Sequence, residues 1–234
     1  MKMTLLQNLN DNLIDRNSIE FVLMDFDEGD QVKQWVLKEF GEFLSDGYLK
    51  YFHCPQLSEW NASVAKNTSH KVAAGAVLVN LDCDNYTGLR GGAFVLDQFR
   101  EAEQNIVLWQ FSKIKEDGSF GRIAITRDLF KLLGGYNEAF LPMGYQDNDL
   151  MERAKARGAL LVHRRDSDYN RAIPNEKYTP ATMSYKKMKM TNKAASKKNI
   201  RLGHLMANAG LYGLEEVYKL SPGGQLERYE GAID

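Results

Sequence analysis

The sequence predicts an α/β fold: a mixed, mostly parallel sheet flanked by helices, with a helical extension at its C-terminal end. Two observations carry this reading. Short apolar runs alternate with segments whose apolar residues recur at helical spacing, the pattern of strand–helix–strand units. The apolar run Val77-Leu78-Val79-Asn80-Leu81 then breaks off into Asp82-Cys83-Asp84, two carboxylates one residue apart. A buried strand reads as a near-continuous apolar run, so both acids are expected where the strand leaves the sheet.

In chain order, 18–24 is a strand ending in Asp25-Phe26-Asp27. Val32, Trp35, Val36, Phe40 and Phe43 place a helix over 31–44, closed by Ser45-Asp46-Gly47. Residues 48–53 are extended. Ser58 can cap a helix reaching about 74, and Gly75 leads into the strand before Asp82. Residues 105–111 and 123–126 are strands, with a turn at Lys115-Glu116-Asp117-Gly118 between them. A brief helix over 127–133 stops at Gly134-Gly135. A helix over 147–157 ends at Gly158, and 159–163 is a strand. Thr179-Pro180, a cap with a first-turn proline, opens a Lys- and Met-rich helix to about 209. Ser221-Pro222-Gly223-Gly224 begins a loose tail. This divides the chain into a sheet domain, 1–175, and a helical extension and tail, 176–234.

Composition narrows the classes. A hydrophobic share of 44% and a charged share of 26% over 234 residues are those of an ordinary globular chain. A net charge of −1 argues for no particular partner, and no nucleic acid is expected. Two cysteines, Cys54 and Cys83, make neither a metal motif nor a disulfide framework. No apolar run reaches membrane-spanning length and the first fifteen residues are not signal-like, so a cytoplasmic protein is expected. Residues 177–201 carry eight basic residues and no acidic one. This run reads first as a solvated helix face, next as a flap over a phosphate site, and then as a peripheral contact with anionic lipid.

Three blocks resemble the GT-A glycosyltransferases, family-2-like and galactosyltransferase-like enzymes in particular. Phe21-Val22-Leu23-Met24-Asp25-Phe26-Asp27 is similar to a strand whose terminal acid meets the nucleotide. Val64-Ala65-Lys66-Asn67 followed by Leu81-Asp82-Cys83-Asp84 is similar to the helix and metal-binding D-x-D pair. Gly134-Gly135-Tyr136-Asn137-Glu138 followed by Asp147-Asn148-Asp149-Leu150 is similar to the acceptor-side block. Together they span about 18–165. The strand with which such proteins open is not visible ahead of 18–24. The chain starts instead in what resembles the first helix, so a gap is expected at the centre of the sheet.

The resemblance implies metal-dependent transfer of a sugar from a nucleotide-diphosphate donor, uridine-linked by expectation, to a glycan hydroxyl with inversion. Asp84 and Asp82 would hold Mn2+ or Mg2+, with His163 as the third ligand. Asp25, Asp27, Asn67, Lys71, Asp82 and Arg122 would meet the donor. Asp147 would be the general base, and Tyr145, Gln146 and Gly121 would line the acceptor side. The alternative is a degenerate, non-catalytic member that binds nucleotide or glycan. Gln146, where the family usually has an acid, and the missing strand favour that alternative. Self-association as a homo-oligomer is left open.

Overall fold

The computed structural model describes residues 1–113, 118–166, 168–174 and 183–231. Eight strands form two four-stranded sheets. The first contains β1 (Phe21–Asp25), β2 (Leu49–His53), β7 (Tyr218–Leu220) and β8 (Leu226–Arg228), in the order β1-β2-β7-β8. The second contains β3 (Val77–Val79), β4 (Ile106–Trp109), β5 (Ile123–Thr126) and β6 (Leu160–His163), in the order β3-β5-β4-β6. Pairing is mixed, as expected, but β1–β2 and β4–β6 alone are parallel. The parallel share is smaller than predicted because β5 and the β7–β8 hairpin run antiparallel to their neighbours.

The helices are α1 (Leu5–Asp11), α2 (Gln31–Ser45), α3 (Ala62–Val72), α4 (Gly91–Arg100), α5 (Arg127–Leu132), α6 (Gln146–Ala156) and α7 (Tyr185–Arg201). The sequence reading gave no element for α4. α3 is capped by Asn61, whose side chain accepts from the Ser63 and Val64 amides, rather than by Ser58. Thr179-Pro180 lies outside the described residues, and Ser184 caps α7. Beyond α7 the chain does not trail off as a loose tail. It returns to β2 through β7, and Ser221-Pro222-Gly223-Gly224 is the hairpin turn.

The expected break in the sheet is present. β1 and β3 are both edge strands and do not pair with each other. The ladder registers turn the amide and carbonyl groups of Val22 and Met24 away from β2, and those of Val77 and Val79 away from β5. Side chains tie the two halves instead. Glu20, just before β1, accepts from the amides of Ala74 and Gly75, and Arg127 donates to the carbonyls of Ala73 and Gly75. β1 alternates between two cores: Phe21 and Leu23 pack with Leu9, Val36 and Phe40, whereas Val22 and Met24 pack with Phe52 and Val72. The second sheet has its own core of Leu78, Ile123, Ile125, Phe130 and Leu150.

Candidate active site

α1 sets the loop that follows β3. Its polar face is buried: Thr4 donates to the Cys83 carbonyl, Asn8 bonds Asn85 and Thr87, and Asn12 bonds Thr87 and Gly92. Three apolar side chains at these positions would leave the loop's amides and carbonyls without partners. Asp82 and Asp84 emerge from this loop, one Oδ1 accepting from Asn80 and the other from Asn85. Cys83 between them is exposed.

Opposite stands the short turn Ser119–Gly121. A methyl group built on Gly121 would lie 3.1 Å from Asp82 Oδ2, 3.2 Å from Lys66 Nζ and 3.6 Å from Asp147 Oδ2. One built on Gly118 would lie 3.5 Å from Asp84 Oδ2. The two acidic clusters, more than sixty residues apart in sequence, therefore face the same turn. Gly121 is the residue type that leaves this convergence room, since any side chain would fill the space between the carboxylates.

Lys66, on α3, lies between them. Its Nζ donates to Asp147 Oδ1 at 2.7 Å and sits 5.2 Å from the centre of the Tyr136 ring. The two charged side chains are 14% and 18% exposed, so the pair is largely shielded from water. Burial pushes the Lys66 ammonium down, but Asp147, Tyr136 and Asp82 outweigh it and hold the group above its ordinary value. Within its motif Lys66 carries no role that the sequence alone assigns. The available signal was a lone basic residue among the small and apolar residues that open α3.

Asp147 is in the first turn of α6. The residue before that helix begins, Tyr145, has a left-handed backbone (φ 75°), an unusual state for a bulky side chain that costs about 1–3 kcal/mol. The loop ahead of it is held by α7. Asn192 donates to the carbonyls of Leu141 and Gly144 and accepts from the Leu141 amide. Asn192 was also missed. Its signal is helical spacing, because Met188, Asn192 and Ser196 form the buried stripe of α7.

Other predicted residues are placed elsewhere or engaged with the protein. Asn67 is fully buried and uses its whole amide on the 134–138 turn, bonding Tyr136 N, Tyr136 O and Glu138. It is a clasp, with no group left for a donor. Arg122, 2% exposed, gives its terminal nitrogens to Tyr169, Asn85 and Arg171, and so fastens the 169–171 segment rather than facing a diphosphate. Lys71 donates to the Leu214 carbonyl. Asp25 accepts from the Tyr51 hydroxyl and the Asp27 amide, and Asp27 offers its carbonyl to His53. Gln146 is buried and donates to the Pro142 carbonyl. His163 bonds the Phe111 carbonyl and stacks on Trp109 at 4.6 Å, apart from the acids. Asp149 pairs with Arg153, which also binds the Leu133 and Gly135 carbonyls, so the pair fastens the turn after α5 to α6.

Among the described residues no group of three or more His, Cys, Asp and Glu side chains could hold a metal ion. Two carboxylates alone suit a hard cation that completes its shell with substrate phosphates and water, and Asp82 and Asp84 are such a pair. The donor set therefore fits Mg2+ or Mn2+ of that kind, with no histidine ligand.

The chain is similar in structure to a mannosyltransferase from Pyrobaculum calidifontis in complex with GDP-Man and Mn2+. The TM-score is 0.58 and the identity 17%, over 74% of this chain and 53% of that one. It is also similar to the catalytic domain of Drosophila beta1,4-galactosyltransferase 7 in complex with xylobiose (TM-score 0.48, 16% identity, 73% of this chain, 79% of that one). A mutant of the same Drosophila enzyme with manganese, UDP-Gal and xylobiose gives 0.47 and 14%, over 73% and 79%. No protein-family model matches the sequence, and no curated protein matches it. The likeness to the mannosyltransferase shows the fold: this chain has the GT-A fold of glycosyltransferases. It spans about half the length of that protein.

Proposed function

We propose that this protein is a glycosyltransferase that moves a sugar from a nucleotide-diphosphate donor to a hydroxyl of a glycan acceptor. The observation that carries the reading is the convergence of Asp82, Lys66 and Asp147 on Gly121 within this fold. Asp82 and Asp84 would hold Mn2+ or Mg2+, which supplies positive charge against the leaving diphosphate when present. Lys66 orients Asp147 and keeps its Oδ1 occupied, so that Oδ2 is the oxygen toward Gly121. Asp147 takes the acceptor proton as that oxygen attacks the anomeric carbon and the bond to the diphosphate oxygen breaks. Attack from the face opposite the leaving group inverts the anomeric centre. Tyr145 and Gly121 border the acceptor side.

The test is a donor screen with UDP-hexoses and GDP-Man, Mn2+ and a mixed glycan array, read by product mass. Asp147→Asn is expected to remove transfer while nucleotide still binds by calorimetry. Equal turnover in that variant refutes the base assignment. The unjoined edges of β1 and β3 favour the second reading, a non-catalytic binder, and an absence of metal-dependent nucleotide heat with the intact protein would select it.

A further inference from the structure

The molecule carries its positive charge unevenly. Seven of the chain's 30 basic residues lie on α7, together with none of its 31 acidic ones, which leaves 23 basic against 31 acidic elsewhere. At 100° per residue, Lys186, Met190, Lys193, Lys197 and Arg201 form one exposed stripe opposite the buried Met188, Asn192 and Ser196. Lys187 and Lys198 flank it and are exposed too. No carboxylate among the described residues pairs with any of these side chains. A solvated helix face normally mixes both signs and keeps apolar side chains off its centre. Here Met190, at the middle of the basic stripe, is 63% exposed.

We propose that this face of α7 is a docking surface for an anionic lipid bilayer. The lysines and Arg201 would meet headgroup phosphates and carboxylates, while Met190 enters the headgroup–acyl boundary. A nucleic-acid backbone would satisfy the charges but gives nothing to the exposed Met190 at the stripe's centre, and this favours the bilayer over a nucleic acid. The stripe runs along the side of α7 from Lys186 to Arg201, so the helix would lie along the surface. Its buried stripe faces the other way and grips the loop before α6 through Asn192, so the basic stripe is left free for the surface. The proposal does not depend on the transferase reading, since the binding it concerns needs neither donor nor metal.

The experiment is co-sedimentation of the intact protein with vesicles of phosphatidylcholine alone or with about 30% phosphatidylserine. Binding is expected only with the anionic lipid, and is expected to be lost at about 0.5 M salt, where screening is short-ranged. Lys186→Gln, Lys193→Gln and Lys197→Gln together should weaken the partition about 100-fold, with the thermal midpoint unchanged because all three side chains are exposed. Met190→Ser should weaken vesicle binding several-fold and leave binding to a DNA duplex unaltered. Equal partition to neutral and anionic vesicles, a triple variant that binds like the native protein, or binding to DNA without binding to vesicles would each overturn the proposal.

Discussion

Replacing Lys66 with methionine is the sharpest probe of the site, because it keeps most of the unbranched stem and removes the charged donor. The Nζ–Oδ1 distance of 2.7 Å corresponds to a gross attraction of about 6 kcal/mol at an effective dielectric near 20. Taking the two charges out of water offsets most of that. The variant, however, loses the attraction while Asp147 stays largely shielded and near Asp82. Removing one partner of a buried pair costs about 3–5 kcal/mol, and the residual exposure of this pair places Lys66→Met at about 3 kcal/mol. Adding Asp147→Asn neutralises the stranded charge, so the double variant should recover about 2 kcal/mol relative to the sum of the single ones. Urea unfolding followed by circular dichroism measures all four proteins. Lys66→Met within about 0.5 kcal/mol of the native protein, or additive single variants, would refute a coupled, water-excluded pair.

Two further outcomes follow from the same neighbourhood. His70 on α3 packs against Phe130 and Tyr136; burial first, then Lys66 and Arg127, push its pKa down from 6.5 to about 3. The unfolded chain therefore takes up this proton first as pH falls, and stability present above pH 6.5 is lost towards pH 3, with about 2 kcal/mol gone by pH 5. A His70→Gln protein should lose much less over that range, and an equal slope in both would count against the assignment. Asn192→Ala removes the bonds from α7 to the 141–144 loop and should cost about 2 kcal/mol. Faster amide exchange confined to 141–147 is the expected signature, and unchanged protection there would show that the loop holds itself.

Much of the architecture was legible because it is written in local periodicity. β5 and the helix after it, α2, and the strand before Asp82 all fall close to their predicted places, since apolar spacing and glycine stops are set by neighbours a few residues away. The basic helix was legible as a composition, though its start fell on Thr179-Pro180 rather than at Ser184. α4 was missed because it follows Arg90 in a left-handed conformation, with no side-chain cap to announce it.

Side-chain roles divide along a different line. The break of an apolar run into two acids drew attention to Asp82 and Asp84, and the family resemblance singled out Asp147. The sequence could not say that Asn67 and Arg122 spend their polar groups on the turns beside them, that Lys66 stands between the two acidic clusters, or that Asn192 grips the loop before α6. Those are matters of which groups meet after folding, when α3, the Ser119–Gly121 turn and α6 converge. The bonds concerned run between residues 37 to 81 positions apart. Local patterning determined the elements; the tertiary fold alone decided which charges meet, because the partners of a buried polar group are chosen by packing across the chain.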